Sequence, residues 1–167
     1  PVIDHQSKTT IDQYIAKARS FNHVLHSLRV DSDGSFVPPT LIRIDSIDDL
    51  EQEIFGPVLH VATFNSDDLD KVIDGINRKG YGLTFGLHTR IDSRVQKISE
   101  CVNAGNIYVN RNQIGAVVGT QPFGGEGLSG TGPKAGGPNY LKRLVNEHTV
   151  TDNITALGGN TALFNLE

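Results

Sequence analysis

The chain has 167 residues, of which 37% are hydrophobic and 20% charged, and its formal net charge at pH 7 is −4. These values predict one soluble globular domain that buries roughly 70% of the surface of its unfolded chain. The sequence lacks the basic excess of a nucleic-acid-binding domain. No apolar run approaches the ~20 residues that span a bilayer. We therefore expect neither nucleic acid nor membrane as a partner.

The single cysteine, Cys101, excludes an internal disulfide framework and favours a reducing compartment, so we expect a cytoplasmic protein. The chain begins at Pro1, contains no methionine and shows no signal-peptide pattern. We therefore expect a piece of a longer protein, with a processed mature chain as the alternative.

The first part of the chain predicts a helix followed by two strands. Apolar residues recur at helical spacing over residues 7–20, with Ser7 or Thr9 as the cap. Residues 24–30 and 40–44 predict strands, and the acidic stretch at 45–53 predicts a short helix or turn.

From residue 58 the pattern changes to strand–helix–strand–helix–strand. Strands are predicted at residues 58–64, 83–89 and 106–110, and the helices between them stop at Gly80 and Gly105. This alternation predicts right-handed crossovers and a parallel sheet whose ligands bind beyond the carboxyl ends of the strands. The expected fold class is α/β, a three-layer parallel sheet with flanking helices.

The C-terminal part predicts a packing segment and then an arm. Residues 140–145 are apolar enough to pack, and residues 147–155 alternate polar and β-branched side chains as an edge strand does. An exposed edge invites pairing with another chain. We expect residues 1–147 to form the main domain and residues 148–167 a C-terminal β arm through which the protein forms a homo-oligomer.

A long glycine-rich loop follows the last predicted strand, over residues 110–138. Its apolar run at residues 114–118 and its Pro122-Phe123 pair favour a binding loop over a flexible linker. Residues 125–130 match G-x-G-x-x-G, but no helix can follow them, so the dinucleotide fingerprint is weak. A nucleotide-phosphate binder is the least favoured hypothesis.

Cysteine and histidine give no strong chemical signature. Cys101 lies near the predicted end of a helix, where the dipole disfavours a thiolate, and we interpret it as a small, partly buried core residue. The six histidines show no zinc-binding spacing. His60 lies inside an apolar strand, and we interpret it as a hydrogen-bonded core histidine and not a catalyst.

The segment Glu53-Ile-Phe-Gly-Pro57 offers two equal interpretations. The carboxylate of Glu53 can bind a sugar diol while the ring of Phe55 packs beside it. Alternatively, the segment is an acidic turn in which Phe55 is a buried anchor.

Several motifs occur in the order seen in one enzyme superfamily. They are Glu53-Ile-Phe-Gly-Pro57, Tyr81-Gly-Leu-Thr-Phe-Gly-Leu87, Gly105-Asn-Ile-Tyr-Val-Asn110, Gln121-Pro-Phe-Gly-Gly125 and Ser129-Gly-Thr131. Together they resemble the aldehyde dehydrogenase superfamily. Residues 114–125 are similar to the Δ1-pyrroline-5-carboxylate (glutamate semialdehyde) dehydrogenase branch, and residues 149–166 to the end of that domain in bifunctional proline utilisation A (PutA) proteins.

The resemblance implies roles for five residues. Glu53 corresponds to the glutamate that holds the nicotinamide-ribose hydroxyls of NAD, and Phe55 to the aromatic beside that ribose. Gly115 and Ala116 correspond to the aldehyde anchor for the substrate's α-carboxylate. Phe123 corresponds to an aromatic that packs on the substrate's methylenes.

The resemblance also implies that residues 1–147 are the C-terminal portion of an aldehyde dehydrogenase catalytic domain. The family's nucleophilic cysteine, second catalytic carboxylate and NAD domain would lie upstream, since Cys101 is not that cysteine. We expect a parent enzyme that oxidises glutamate semialdehyde to glutamate with NAD, and with FAD if a proline dehydrogenase domain lies upstream. The chain alone is expected to be inactive. The alternative is a non-catalytic oligomerisation or assembly module.

Overall fold

The computed structural model describes residues 1–30, 33–114, 117 and 119–153. The chain divides into two units, one made of Pro1–Gly115 and Gly124–Gly132 and the other of Ala116–Phe123 and Pro133–Glu167. Within the described ranges, every helix is too short or too polar to cross a membrane.

The first unit begins with helix α1, His5–Ser20. The side chain of Asp4 accepts a hydrogen bond from the backbone N–H of Ser7 at 2.7 Å, so Asp4 caps the helix and the expected cap at Ser7 or Thr9 was wrong. This hydrogen bond lowers the pKa of Asp4 because it stabilises the carboxylate. The buried face of α1 carries Ile11 and Ile15.

A three-stranded sheet packs against α1. It consists of β1 (Val24–Ser27), β2 (Thr40–Arg43) and β3 (Val58–Val61), in that spatial order. β1 runs antiparallel to β2, and β2 runs parallel to β3. The buried core of this half consists of Ile11, Ile15, Val37 and Ile42. All three strands are shorter than the sequence predicts.

The second half of this unit is a strand–helix–strand arrangement. Helix α2 (Leu69–Lys79) ends at Gly80, whose φ of 75° is the left-handed conformation of a glycine stop, as predicted. Strand β5 (Thr84–Leu87), helix α3 (Asp92–Cys101) and strand β6 (Asn106–Val109) follow, and β5 runs parallel to β6. Their core consists of Ile73, Ile98 and Val102.

A short two-stranded sheet completes the unit. Strand β4 (Tyr81–Gly82) pairs antiparallel with β7 (Glu126–Gly127). The part of the glycine-rich loop after residue 123 therefore returns to the start of the β5 region. It forms a short antiparallel pairing between strands distant in sequence and not an open cradle.

The mixed α/β class is confirmed, but a single three-layer parallel sheet is not. The strands of the described residues form three separate sheets. Strand β3 pairs with β2 and strand β5 pairs with β6, so no pairing joins β3 to β5 among the described residues. In addition, β1 runs antiparallel to β2. A cavity of about 600 Å³ lies between the β3 side and α2, and His60, Phe64 and Ile76 are among its lining residues.

In the second unit, Tyr140–Leu144 forms a 3-10 helix. The side chains of Leu141, Leu144 and Val145 are exposed, so the expectation that this segment packs was wrong. The described residues of the second unit contain no other helix or strand against which this short helix could pack. Residues 147–153 contain no strand, and the rest of the tail lies outside the described residues. The domain boundary at residue 147 and the arm at 148–167 stay predictions.

Candidate functional site

The turn before β3 is fixed by the backbone. The N–H of Gly56 donates to the carbonyl of Ile54 at 2.8 Å, and the N–H of Val58 donates to the carbonyl of Gly56 at 2.8 Å. In each bond the N–H donates to the carbonyl two residues earlier, and two successive bonds of this type make a very tight turn. A Cβ at Gly56 would lie 2.6 Å from Cδ1 of Ile11, so the glycine lets the turn lie directly against the side chain of Ile11 on α1.

This turn presents Glu53 and Phe55 outward. Phe55 is 82% exposed, so its interpretation as a buried anchor was wrong. Glu53 is also exposed, and among the described residues no hydrogen bond or ion pair involves its side chain. An unpartnered carboxylate two residues from an open ring suits a sugar diol, because its two oxygens can accept from both hydroxyls. The binding role of Glu53 and Phe55 stays a prediction.

The G-x-G-x-x-G glycines serve backbone packing. At Gly127, whose φ is 57°, a Cβ would overlap the carbonyl oxygen of Gly80. At Gly125 a Cβ would lie 2.5 Å from the carbonyl oxygen of Ser129. No helix begins in residues 126–132 of the described chain. The spacing therefore reflects the close approach of β4 and β7, and it lacks the helix N-terminus that a pyrophosphate site needs.

Phe123 lies in the second unit and is half-buried. Its N–H donates to the carbonyl of Ala135 at 3.0 Å, and its own carbonyl accepts from the N–H of Ala135 at 2.9 Å. This pair of bonds fixes the backbone of Phe123. Gly115 and Ala116 lie outside the described residues. Of the five site residues, only Glu53 and Phe55 are thus placed together, on one turn.

The corner that follows β6 at Asn110 was not predicted from the sequence. Asn110 has a φ of 55°, a left-handed conformation that asparagine adopts more readily than most residues. Its side-chain amide bonds both the N–H and the carbonyl of Thr89, each at 2.9 Å. An asparagine directly after a strand and before a glycine-rich segment is the signal that predicts such a corner.

His60 is a hydrogen-bonded histidine, as predicted. Its Nε2 lies 2.7 Å from the hydroxyl oxygen of Tyr14, and the two rings pack edge to face. Partial burial lowers the pKa of His60. Burial also raises the pKa of Tyr14, and the nearby carboxylates Glu51 and Asp49 act in the same direction. Both side chains are therefore held neutral, which suits a structural contact.

Cys101 is exposed, so its interpretation as a partly buried core residue was wrong. Cys101 is the last residue of α3. The residues of this part of the chain that lie in the buried core are Ile98 and Val102. Its carbonyl accepts a hydrogen bond from the side chain of Asn77 at 2.8 Å. Over the part of the chain that the structure describes, no three His, Cys, Asp or Glu side chains form a metal-binding group.

Comparison with known proteins shows the family of the chain. Residues 1–150 match the model of the aldehyde dehydrogenase family. The chain belongs to the aldehyde dehydrogenase family. It is 53% identical over 148 residues to the bifunctional protein PutA of Rhizobium meliloti, covering 87% of this chain and 12% of that protein. It is 39% identical over 146 residues to the 1-pyrroline-5-carboxylate dehydrogenase of Bacillus subtilis (strain 168), covering 84% of this chain and 28% of that protein.

The likeness extends to three dimensions. A crystal structure of a mutant of Bradyrhizobium japonicum proline utilization A superimposes with a TM-score of 0.84 at 49% identity, covering 93% of this chain and 16% of that chain. The chain thus spans less than a third of the length of each of these relatives. Its family is aldehyde dehydrogenase, and the members it resembles are proteins of proline catabolism.

Proposed function

We propose that this chain is part of an NAD-dependent dehydrogenase that oxidises glutamate semialdehyde, the open form of Δ1-pyrroline-5-carboxylate, to glutamate. The observation that carries the proposal is the tight turn over residues 54–58, at which the side chains of Glu53 and Phe55 are both exposed. The similarity to PutA and to 1-pyrroline-5-carboxylate dehydrogenase supports this choice of substrate.

The turn fits part of an NAD site. In this proposal the carboxylate of Glu53 accepts hydrogen bonds from the two hydroxyls of the nicotinamide ribose, and Phe55 packs beside that ribose. Hydrogen bonds to a charged acceptor are stronger than neutral ones, so Glu53 both binds and orients the sugar. NAD, when bound, accepts the hydride that leaves the substrate.

The substrate contacts belong to the loop after β6. Gly115 and Ala116 bind the α-carboxylate through backbone N–H groups, each bond contributing roughly 1.5–3 kcal/mol. Residues with little or no side chain let a carboxylate approach the backbone closely. Phe123, whose backbone is fixed by Ala135, packs on the methylenes between carboxylate and aldehyde.

The nucleophile of the reaction lies outside this sequence in our proposal. Cys101, its only cysteine, is exposed at the end of α3, where the helix dipole opposes a thiolate. The isolated chain is therefore expected to form no NADH from glutamate semialdehyde and NAD. A cytoplasmic location and a homo-oligomer held by residues 148–167 are further parts of the proposal, and so is FAD as a second cofactor if a proline dehydrogenase domain lies upstream.

The test compares two neighbouring carboxylates in the full-length protein that carries this chain. Glu53→Gln is expected to raise KM for NAD by about tenfold, because a charge-assisted bond becomes a neutral one. It should leave KM for glutamate semialdehyde within about twofold of wild type, which a general folding defect would not do. Glu51→Gln, on the same exposed segment, is the matched control. Equal KM values for NAD in the two variants would overturn the assignment of Glu53.

A further inference from the structure

The chain leaves β6 through a corner that is tied to β5 at several points. The N–H of Asn110 donates to the carbonyl of Leu87 at 2.8 Å, and its side-chain amide bonds both backbone groups of Thr89. The next residue, Arg111, places its guanidinium 4.9 Å from the centre of the Tyr108 ring. These contacts make the corner a defined structure and not a loose linker.

Gln113 then reaches back to the face of β5. Its Oε1 accepts a hydrogen bond from the hydroxyl of Thr84 at 3.3 Å. At Gly86 a Cβ would overlap Nε2 of Gln113 and would lie 2.9 Å from its Cδ and Cγ. The side chain of Gln113 therefore occupies the space that the absent side chain of Gly86 leaves open.

Thr84 and Gly86 share one face of β5, because successive strand residues point to opposite sides. The opposite face carries Phe85 and Leu87, which pack on the core of Ile73, Ile98 and Val102. The notch at Gly86 thus lies on the face of β5 away from that core. Filling it would disturb Gln113 and leave the core untouched.

We propose that Gln113 is a positioning residue for substrate selectivity. Seated in the notch at Gly86 and bonded to Thr84, it fixes the chain two residues before Gly115. This inference rests on the proposed function, in which Gly115 and Ala116 bind the α-carboxylate of the substrate. Gln113 touches neither substrate nor cofactor in this role, and it acts by holding the start of the binding loop.

Two single variants remove this contact from opposite sides. Gly86→Ala places a methyl group where Gln113 lies, and the obstacle is the end of a flexible side chain, so the fold tolerates the change. Gln113→Ala removes the side chain itself. In the full-length protein, each is expected to raise KM for glutamate semialdehyde about three- to tenfold, the range of one lost hydrogen bond.

A comparison of glutamate semialdehyde with propanal distinguishes a positioning role of Gln113 from a general loss of folded structure. Propanal has no carboxylate, so its kcat and KM are expected to stay within about twofold of wild type in both variants. The double variant should be no worse than Gln113→Ala alone, because the two changes remove one contact. Gln96→Ala, an exposed glutamine on α3, is the matched control and should change neither substrate.

Thr84 supplies a milder pair of variants. Thr84→Val removes the donor at constant shape and should behave as Gln113→Ala, whereas Thr84→Ser keeps the hydroxyl and should behave as wild type. This pair decides the matter if either substitution at the notch prevents folding.

The possible failures are distinguishable. A wild-type protein with no preference for glutamate semialdehyde over propanal overturns the proposed function. A wild-type protein with that preference, whose variants leave KM unchanged, overturns the role of Gln113. Equal losses with both aldehydes, accompanied by a lower melting temperature, would make Gln113 a purely structural residue and also overturn the inference.

Discussion

The hydroxyl oxygen of Tyr14 lies 2.7 Å from Nε2 of His60, and this contact joins α1 to β3 across 46 residues of sequence. The rings meet edge to face with centroids 5.7 Å apart. Because burial lowers the pKa of His60, the folded protein favours the neutral imidazole, which can pair with the phenol in either tautomer. The same contact anchors the strand that follows the Glu53–Phe55 turn.

We expect the free energy of unfolding to fall as the pH is lowered from about 7 to 5, with His60 contributing to the loss. A histidine whose pKa is lower in the folded state binds protons more readily when unfolded, so acid favours the unfolded state. The contribution is fully present above the unfolded pKa and is lost as the pH falls through the folded one. Urea unfolding of wild type and His60→Gln over this range measures it. If the two proteins lose stability in parallel, the prediction is wrong.

The Tyr14 hydroxyl is expected to contribute about 1 kcal/mol to stability, as a half-buried hydrogen bond does. Tyr14→Phe removes only that hydroxyl and keeps the edge-to-face packing. Its midpoint in urea at pH 8 should therefore fall, while the slope of the unfolding transition stays unchanged. An unchanged midpoint would mean that water replaces the phenol at His60.

Local features of the chain were predictable from its sequence. The stop at Gly80 follows from one glycine after a helical stripe, and the hydrogen-bonded state of His60 follows from a histidine inside an apolar strand. Both depend on residues close in sequence or on a general rule about buried polar groups. The order of strands and helices was predictable for the same reason.

Features that depend on distant partners were not predictable. The spacing of β3, α2 and β5 suggests adjacent parallel strands, but pairing depends on which edges meet, and β3 and β5 pair with β2 and β6 only. The exposure of Phe55 and the close approach of Ile11 on α1 to Gly56 both depend on residues distant in sequence, which no local pattern encodes. The notch at Gly86 likewise becomes visible only when Gln113 returns to β5.

The side chain of Asn77 is expected to stabilise the first unit by about 1–3 kcal/mol through two hydrogen bonds. Its Nδ2 donates to the carbonyl of Cys101 at 2.8 Å, and its Oδ1 accepts from the N–H of Asn103 at 2.8 Å. These bonds tie the end of α2 to the end of α3. Urea unfolding of Asn77→Ala tests this, with Gln96→Ala as the control, since the described hydrogen bond of the Gln96 side chain is to Glu100 on the same helix. Equal stabilities of the two variants would contradict the prediction.

Cys101 is expected to be dispensable for oxidation of the aldehyde. It is exposed at the end of α3, and its backbone carbonyl accepts a hydrogen bond from the side chain of Asn77. Cys101→Ser in the full-length protein should therefore keep kcat for glutamate semialdehyde within about twofold, whereas loss of a true nucleophile abolishes covalent catalysis. A rate of NADH formation reduced by orders of magnitude would show that Cys101 takes part in the reaction.

The glycines of the G-x-G-x-x-G segment are expected to support folding and not phosphate binding. Gly127→Ala forces alanine into a positive φ and brings its Cβ against the carbonyl of Gly80, and together these should lower stability by about 1–3 kcal/mol. Gly119→Ala is the matched control. Gly119 has a φ of 81° but no atom within 4 Å of the added Cβ, so only the backbone strain applies. Urea unfolding should therefore show a lower free energy of unfolding for Gly127→Ala than for Gly119→Ala.

The same glycines are expected to bind no nucleotide phosphate. Calorimetric titration with ADP should therefore detect no binding to the wild-type protein that Gly127→Ala abolishes. Binding lost only in Gly127→Ala would restore the phosphate-binding hypothesis, because packing alone gives no reason for an ADP site there.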